Sequence, residues 1–191
     1  MGILEGWLDC MTGPEIKGWR RLHKNLVKDW GFDKAPGSKS KHHNWEGGYR
    51  DHLEQCLLIA EELCDNLRLD GPLNLNSVFK VIYLHDIEKL WRYLGWQKED
   101  GSWEILYKKK RLDLETKEDF YKRLFQQDLE KLSLSKEELT ALKYIHGEGD
   151  DYGEKRVMNP LGAICHSADI ISARVFYGVR KIGDVVAWER K

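Results

Sequence analysis

The chain has 191 residues. That is enough for one domain with a core burying roughly 70% of the unfolded surface, and a single domain over 1–191 is the expectation. Lys and Arg total 31 against 32 Asp and Glu, so no basic field recommends binding of bulk double-stranded nucleic acid. At 33% charged and 41% hydrophobic residues the balance is that of a soluble protein, and no run of about 18 apolar residues predicts a membrane span.

The opening stretch MGILEGWLDC lacks a basic segment followed by an apolar one, so it does not read as a secretory signal. Glu5 and Gly6 do not complete the myristoylation pattern that Gly2 would open. The four cysteines, Cys10, Cys56, Cys64 and Cys165, form no C-x-x-C pair. Cys56 and Cys165 fall in apolar helical stripes, and the four are read as structural thiols of a reducing cytoplasm.

Thr12-Gly13-Pro14-Glu15 has the form of a capping box with proline near the first turn. The helix it predicts carries Ile16, Trp19, Leu22, Leu26 and Trp30 at helical spacing and stops at Gly31. Residues 32–48, FDKAPGSKSKHHNWEGG, form a loop rich in Gly, Lys and Ser that holds His42, His43, Lys34, Lys39 and Lys41. Its length alone suggests a functional connection. A second helix is predicted from about Tyr49 to Leu67, with Tyr49, Leu53, Cys56, Leu57, Ala60, Leu63, Cys64 and Leu67 as its stripe and His52 at the stripe's edge.

Gly71-Pro72, Asn74 and Asn76 break the chain ahead of Ser77–Gly95, SVFKVIYLHDIEKLWRYLG. This stretch is predicted to be one helix, apolar on nearly every side and therefore buried among others. His85, Asp86, Glu88 and Lys89 lie at its centre, and such groups are costly to bury unless paired or bound to a metal. Then the period changes. Residues 96–99 and 102–107 flank Asp100-Gly101, a strong hairpin signal, and Trp103, Ile105 and Tyr107 alternate like a half-buried strand. The basic run Lys108–Arg111 reads as a solvated connection.

A helix is predicted from Thr116 to about Leu132. Ser135-Lys136-Glu137-Glu138 is a second capping box, ahead of a helix with Leu139, Leu142 and Ile145 that ends at His146-Gly147. Residues 148–157 form a polar loop. Asn159 and Pro160 then supply an N-cap and a first helical residue. The last long helix has Leu161, Ile164, Cys165, Ala168, Ile171, Ser172 and Val175 as its stripe, with His166 and Asp169 on one face. The fold class is mainly α with one small β-hairpin.

His52, His85, Asp86, His146, His166 and Asp169 come from four predicted helices. Side chains converging from facing helices are how bundles build metal sites. One histidine on an apolar face is more often a satisfied core residue than a ligand, but four helices each offering one are harder to explain so. His23 stands apart as an ordinary helical histidine. Imidazole with carboxylate suits one or two divalent transition-metal ions, Mn, Fe, Co, Ni or Zn.

The order His52, His85-Asp86, Asp169 resembles the HD-domain superfamily of metal-dependent phosphohydrolases. APGSKSKHHNWEGGYRDHLEQCLLIA (Ala35–Ala60) is similar to its loop-and-helix entry, YLHDIEKL to its central helix, and KYIHGEGDDYG with NPLGAICHSADIISARV to its final helices. The resemblance, nearest to the HD domain of bacterial 3′–5′ exoribonucleases, covers about 32–175. It implies an HD-type helical bundle with His52, His85, Asp86 and Asp169 as metal ligands. It further implies that His146 and His166 serve a second ion.

Two positions depart from the pattern. Glu88 replaces the glycine of H-D-x-G-K, while Lys89 keeps the lysine. Ile145-His146 replaces two adjacent histidines. The oligonucleotide-binding domain of the exoribonucleases is not recognisable in the first 31 residues, so a small nucleotide or short oligonucleotide is expected as substrate rather than long RNA.

The resemblance implies phosphate-ester hydrolysis, in which a metal polarises the phosphoryl oxygen and acidifies a water. Asp86, Lys89 and Glu88 are the candidate catalytic residues. His42, His43, Lys39, Lys41 and Lys89 are the candidates for meeting the phosphate charge. Trp45 and Trp91 are each read either as base-stacking or as core. The rival readings are a di-iron oxygenase on the same fold, a non-catalytic nucleotide-binding regulatory module, and a purely structural helical protein.

Overall fold

The structure, a computed structural model, describes residues 2–69, 73–100, 103–107, 132–153, 155–181 and 188–190. It is mainly helical. Helices α1 (Ile3–Cys10), α2 (Ile16–Trp30), α3 (Gly48–Asn66), α4 (Leu75–Leu84), α5 (Glu88–Arg92), α6 (Lys136–Tyr144) and α7 (Pro160–Arg174) are joined by two antiparallel strand pairs. These are β1 (Tyr93–Gln97) with β2 (Trp103–Tyr107), and β3 (Val179–Lys181) with β4 (Trp188–Arg190). The chain forms two compact units, Met1–His52 with Ile87–Ser133 and Tyr177–Lys191, and Leu53–Asp86 with Leu134–Phe176. Among the described residues no helix is long and apolar enough to cross a membrane.

In the first unit α1 packs on α2. Leu4 and Leu8, one turn apart, are buried, as are Trp19, Leu22 and Leu26 of the expected α2 stripe. The Thr12 capping box does not form. Gly13 takes φ 113 and turns the chain, so α2 begins at Ile16 behind a Glu15 that makes no side-chain cap. Gly31 closes α2 in the left-handed conformation, with φ 65 and ψ 37, as a terminating glycine does. Arg50, in the first turn of α3, reaches Glu5 at 2.6 Å and Asp33 at 2.8 Å. That clamp sets the start of α3 against α1 and the loop behind α2.

The second unit holds the rest of α3 with α4, α6 and α7. Every residue from Val78 to Leu84 is buried, so α4 is the all-round buried helix its composition predicts. Lys80 is tolerated there because its ammonium meets the Glu138 carboxylate at 3.3 Å. The capping box at Ser135 forms in full: Glu138 N donates to Ser135 Oγ and Ser135 N to Glu138 Oε2. Asn159 Oδ1 accepts from Gly162 N at 2.7 Å with Pro160 at the helix start, as expected. Cys56, Cys64 and Cys165 are buried, and burial pushes the Cys165 thiol well up.

The predicted single helix over 77–95 is corrected. α4 stops at Leu84, a turn covers His85–Ile87, α5 lasts only to Arg92, and Tyr93-Leu94-Gly95 belong to β1. The His85 ring takes the Ile82 carbonyl at 2.6 Å, the acceptor a continuing helix would offer to the Asp86 amide. Downstream, Tyr93 pairs with Tyr107 and Gln97 with Trp103, so the first strand starts earlier than Trp96. Gly101, the 108–111 run and the helix expected over 116–131 lie outside the described residues, as do the side chains of Trp103, Ile105 and Tyr107. The second strand pair, after α7, was not expected.

Candidate metal centre

α7 carries Asp169 and His166 one turn apart, and the turn after α4 carries His85 and Asp86. His85 Nε2 stands 3.2 Å from Asp86 Oδ2 and 3.7 Å from Asp169 Oδ1, and its side chain is fully buried. Its Nδ1 donates to the Ile82 carbonyl at 2.6 Å. That bond fixes the ring and aims Nε2 at the carboxylates, an orientation metal-binding histidines share. Burial alone would push this imidazole's pKa down. The nearby charges of Asp86 and Asp169 outweigh burial and push it up to about 10. Two adjacent carboxylates therefore call for a cation, and the His85 proton serves as one.

His146 follows α6, and its exposed ring lies 3.4 Å from Asp169 Oδ2 through Nδ1 and 3.8 Å from Asp86 Oδ1 through Nε2. His166 Nδ1 donates to the Ile145 carbonyl at 2.6 Å, leaving Nε2 as its acceptor nitrogen. His52 belongs to α3, whose next residue opens the second unit. Gln55, one turn further along that helix, accepts from Ser172 Oγ at 2.9 Å in a buried contact. Ser172 is itself one turn beyond Asp169, so the α3–α7 bond lies one turn from each ligand candidate. His52, His85, Asp86 and Asp169 each offer a ligand atom, and these atoms all lie within 4.8 Å of one another. Two imidazoles with two carboxylates form a donor set that fits a divalent transition metal.

The other candidates are placed as follows. Glu88 is ion-paired with Arg92 at 2.5 Å on the same short helix. Lys89 is half-buried on α5, and Lys39 and Lys41 are exposed on the loop before α3. Trp45 is buried and donates from Nε1 to Asp51 Oδ2 at 2.8 Å, with its ring 5.0 Å from that of His43, so it packs as core. Trp91 is half-buried. His23 lies edge-on to Phe32, away from these groups in the sequence and in its contacts.

Histidines 42 and 43 are brought to His52, with which they form a second group whose ligand atoms lie within 4.8 Å of one another. Nothing in their spacing announced this, because a loop and a helix meet there. Gln55, Ser172 and the Ile145 carbonyl were likewise missed as positioning groups; a polar residue one turn from a ligand candidate was the available signal for the first two. No family model, characterised protein or solved structure matches the chain.

Proposed function

We propose that the chain is a metal-dependent phosphohydrolase of the HD type, acting on a phosphate ester or phosphodiester of a nucleotide or short oligonucleotide. The observation that carries this reading is the gathering of His52, His85, Asp86 and Asp169, the positions at which the HD resemblance expects ligands. A divalent ion held there, Mn, Fe, Co, Ni or Zn, would supply Lewis acidity toward a phosphoryl oxygen and an acidified water. His146, within 4 Å of both carboxylates, and His166, oriented by Ile145, are the candidates for holding a second ion.

In this reading Asp86 and Asp169 provide the charge that retains the cation, and Ile82 orients His85. Asp86, which faces both His85 and His146, would bridge if two ions bind. Lys89, Lys39 and Lys41 are assigned to the negative charge of the substrate, while Glu88 orients Arg92 through their ion pair.

The test is an assay of phosphate release from a panel of nucleotides, on protein stripped of metal and reconstituted with each ion separately. It is run with and without oxygen. Hydrolysis that needs the metal, survives without oxygen and is lost in Asp86→Asn supports the reading. Turnover only with iron and oxygen would replace it by an oxygenase, and ligand binding without turnover would replace it by a regulatory module. Lys39→Ala and Lys41→Ala should raise KM with metal content unchanged.

A further inference from the structure

The loop ahead of α3 is built around an awkward residue. His43 is fully buried and takes φ 57, a left-handed conformation that non-glycine residues rarely adopt. Such strain persists only where the surroundings over-determine it, and here they do. Gly37 N donates to the His43 carbonyl at 2.8 Å. A side chain on Gly48 would place its Cβ 2.1 Å from that carbonyl oxygen, and one on Gly37 would come within 2.7 Å of the His43 Cβ. Ser38 Oγ donates to the His42 carbonyl at 2.8 Å and accepts from Lys41 N at 2.9 Å, closing the turn. The two glycines and the serine thus hold both histidines toward His52.

The three rings form a nearly equilateral triangle. Their centroids are 5.2 Å apart for His42–His43, 5.2 Å for His42–His52 and 5.0 Å for His43–His52. Three imidazoles on one tetrahedral zinc, at about 2.0–2.1 Å per nitrogen, have centroids roughly 5 Å apart. The ligand nitrogens lie within 4.8 Å of one another, and the Nδ1 atoms of His42 and His43 already approach to 2.9 Å. On a tetrahedral ion that last distance would open to about 3.4 Å.

From this geometry we propose that His42, His43 and His52 form a second metal site, made of imidazole alone, which shares His52 with the carboxylate-bearing group and so competes with it for that ring. Imidazole ligands select zinc, copper or nickel over magnesium, calcium or manganese, which prefer oxygen. Three protein ligands leave a fourth position for water or an anion. An ion on both Nδ1 atoms takes the place of the proton they share, which passes to the Nε2 of the ring that carried it. This site assigns His42 and His43 to an ion instead of to substrate. It stands whether or not the chain hydrolyses phosphate esters, since it requires no turnover.

The test uses the full chain, stripped by chelator and titrated with zinc alone. In Asp86→Asn/Asp169→Asn, which removes both carboxylates of the other group, one zinc per chain should remain bound. His42→Ala or His43→Ala in that background should weaken it at least 100-fold, and manganese should bind at least 100-fold more weakly than zinc. Zinc X-ray absorption should count three imidazoles. If the Asn variant is unfolded by circular dichroism, His42→Ala, at a half-exposed position, is compared with the unmutated chain, and the number of imidazoles counted on zinc should fall. Retention of no zinc by the folded Asn variant overturns the site, as does zinc unaffected by His42→Ala in either protein. The 2.9 Å contact is then only a shared-proton hydrogen bond.

Discussion

Ser172 donates to Gln55 Oε1 at 2.9 Å, joining α7 to α3 one helical turn beyond Asp169 on one helix and His52 on the other. Both residues are buried, so the bond is shielded from water and its loss is felt at the ligands. Ser172→Ala removes the donor at a cost of about 1–3 kcal/mol. We expect a lower Tm together with weaker metal binding. Unchanged metal affinity in a destabilised Ser172→Ala protein would show that the bond supports packing alone.

His85→Ala and Asp86→Ala should each remove most of the metal from the carboxylate-bearing group while leaving a helical chain. His85 is aimed by Ile82, and Asp86 faces both His85 and His146. Elemental analysis of variants stripped and reloaded with one equivalent of ion in a His42→Ala background, which disables the three-histidine group, checks this with circular dichroism as the control. Full occupancy in both variants rejects the assignment.

Binding of metal at this group should depend on pH. The His85 pKa is pushed up to about 10, so at neutral pH the metal-free protein carries a proton there. An imidazole must give up that proton to bind an ion. Affinity should therefore rise with pH, about tenfold per unit, and level off near pH 10. Calorimetry in buffers of different ionisation enthalpy measures the released proton at pH 7. Release absent at pH 7 would mean that His85 is not a ligand.

Gly48→Ala should damage the loop. Its Cβ would lie 2.1 Å from the His43 carbonyl oxygen, a backbone atom that cannot swing aside. Overpacking of this kind costs about 1–3 kcal/mol. Thermal melting should show that loss, while the equally small change Gly6→Ala, which meets nothing within 4 Å inside α1, should hold or raise Tm.

Glu138 predicts acid sensitivity in the second unit. Burial alone would raise its pKa, but the Ser135 amide, the Ser77 hydroxyl and the Lys80 ammonium together hold it below the ordinary value. A carboxylate whose folded pKa is depressed contributes stability that is present above its unfolded pKa of about 4.3. That stability is lost as pH falls through the folded value. Glu138→Gln should lower stability at pH 7 and flatten the acid limb of the pH–stability curve, measured by urea unfolding between pH 3 and 7. Glu138→Ala, which strands Lys80 in the core, should cost about 3–5 kcal/mol.

The features legible in the sequence are those decided within a few residues. Ser135 with Glu138, Asn159 with Pro160, and Gly31 after α2 act on backbone groups one turn away, and each forms as its local pattern requires. That His52, His85, Asp86 and Asp169 belong together was suggested by their order, which resembles a known pattern. Their proximity was not, because it joins helices far apart in the sequence, as the Gln55–Ser172 bond does across 117 positions. The break at His85 also escaped periodicity, since the ring that takes the Ile82 carbonyl replaces an acceptor without changing the apolar pattern. Tyr93-Leu94-Gly95 read as helix until a strand beyond residue 100 supplied hydrogen-bond partners. The three-histidine group depends on a left-handed residue wedged between two glycines and a helix. A backbone held in a strained conformation by distant atoms leaves no repeat in the sequence, so only the tertiary structure could bring His42 and His43 to His52.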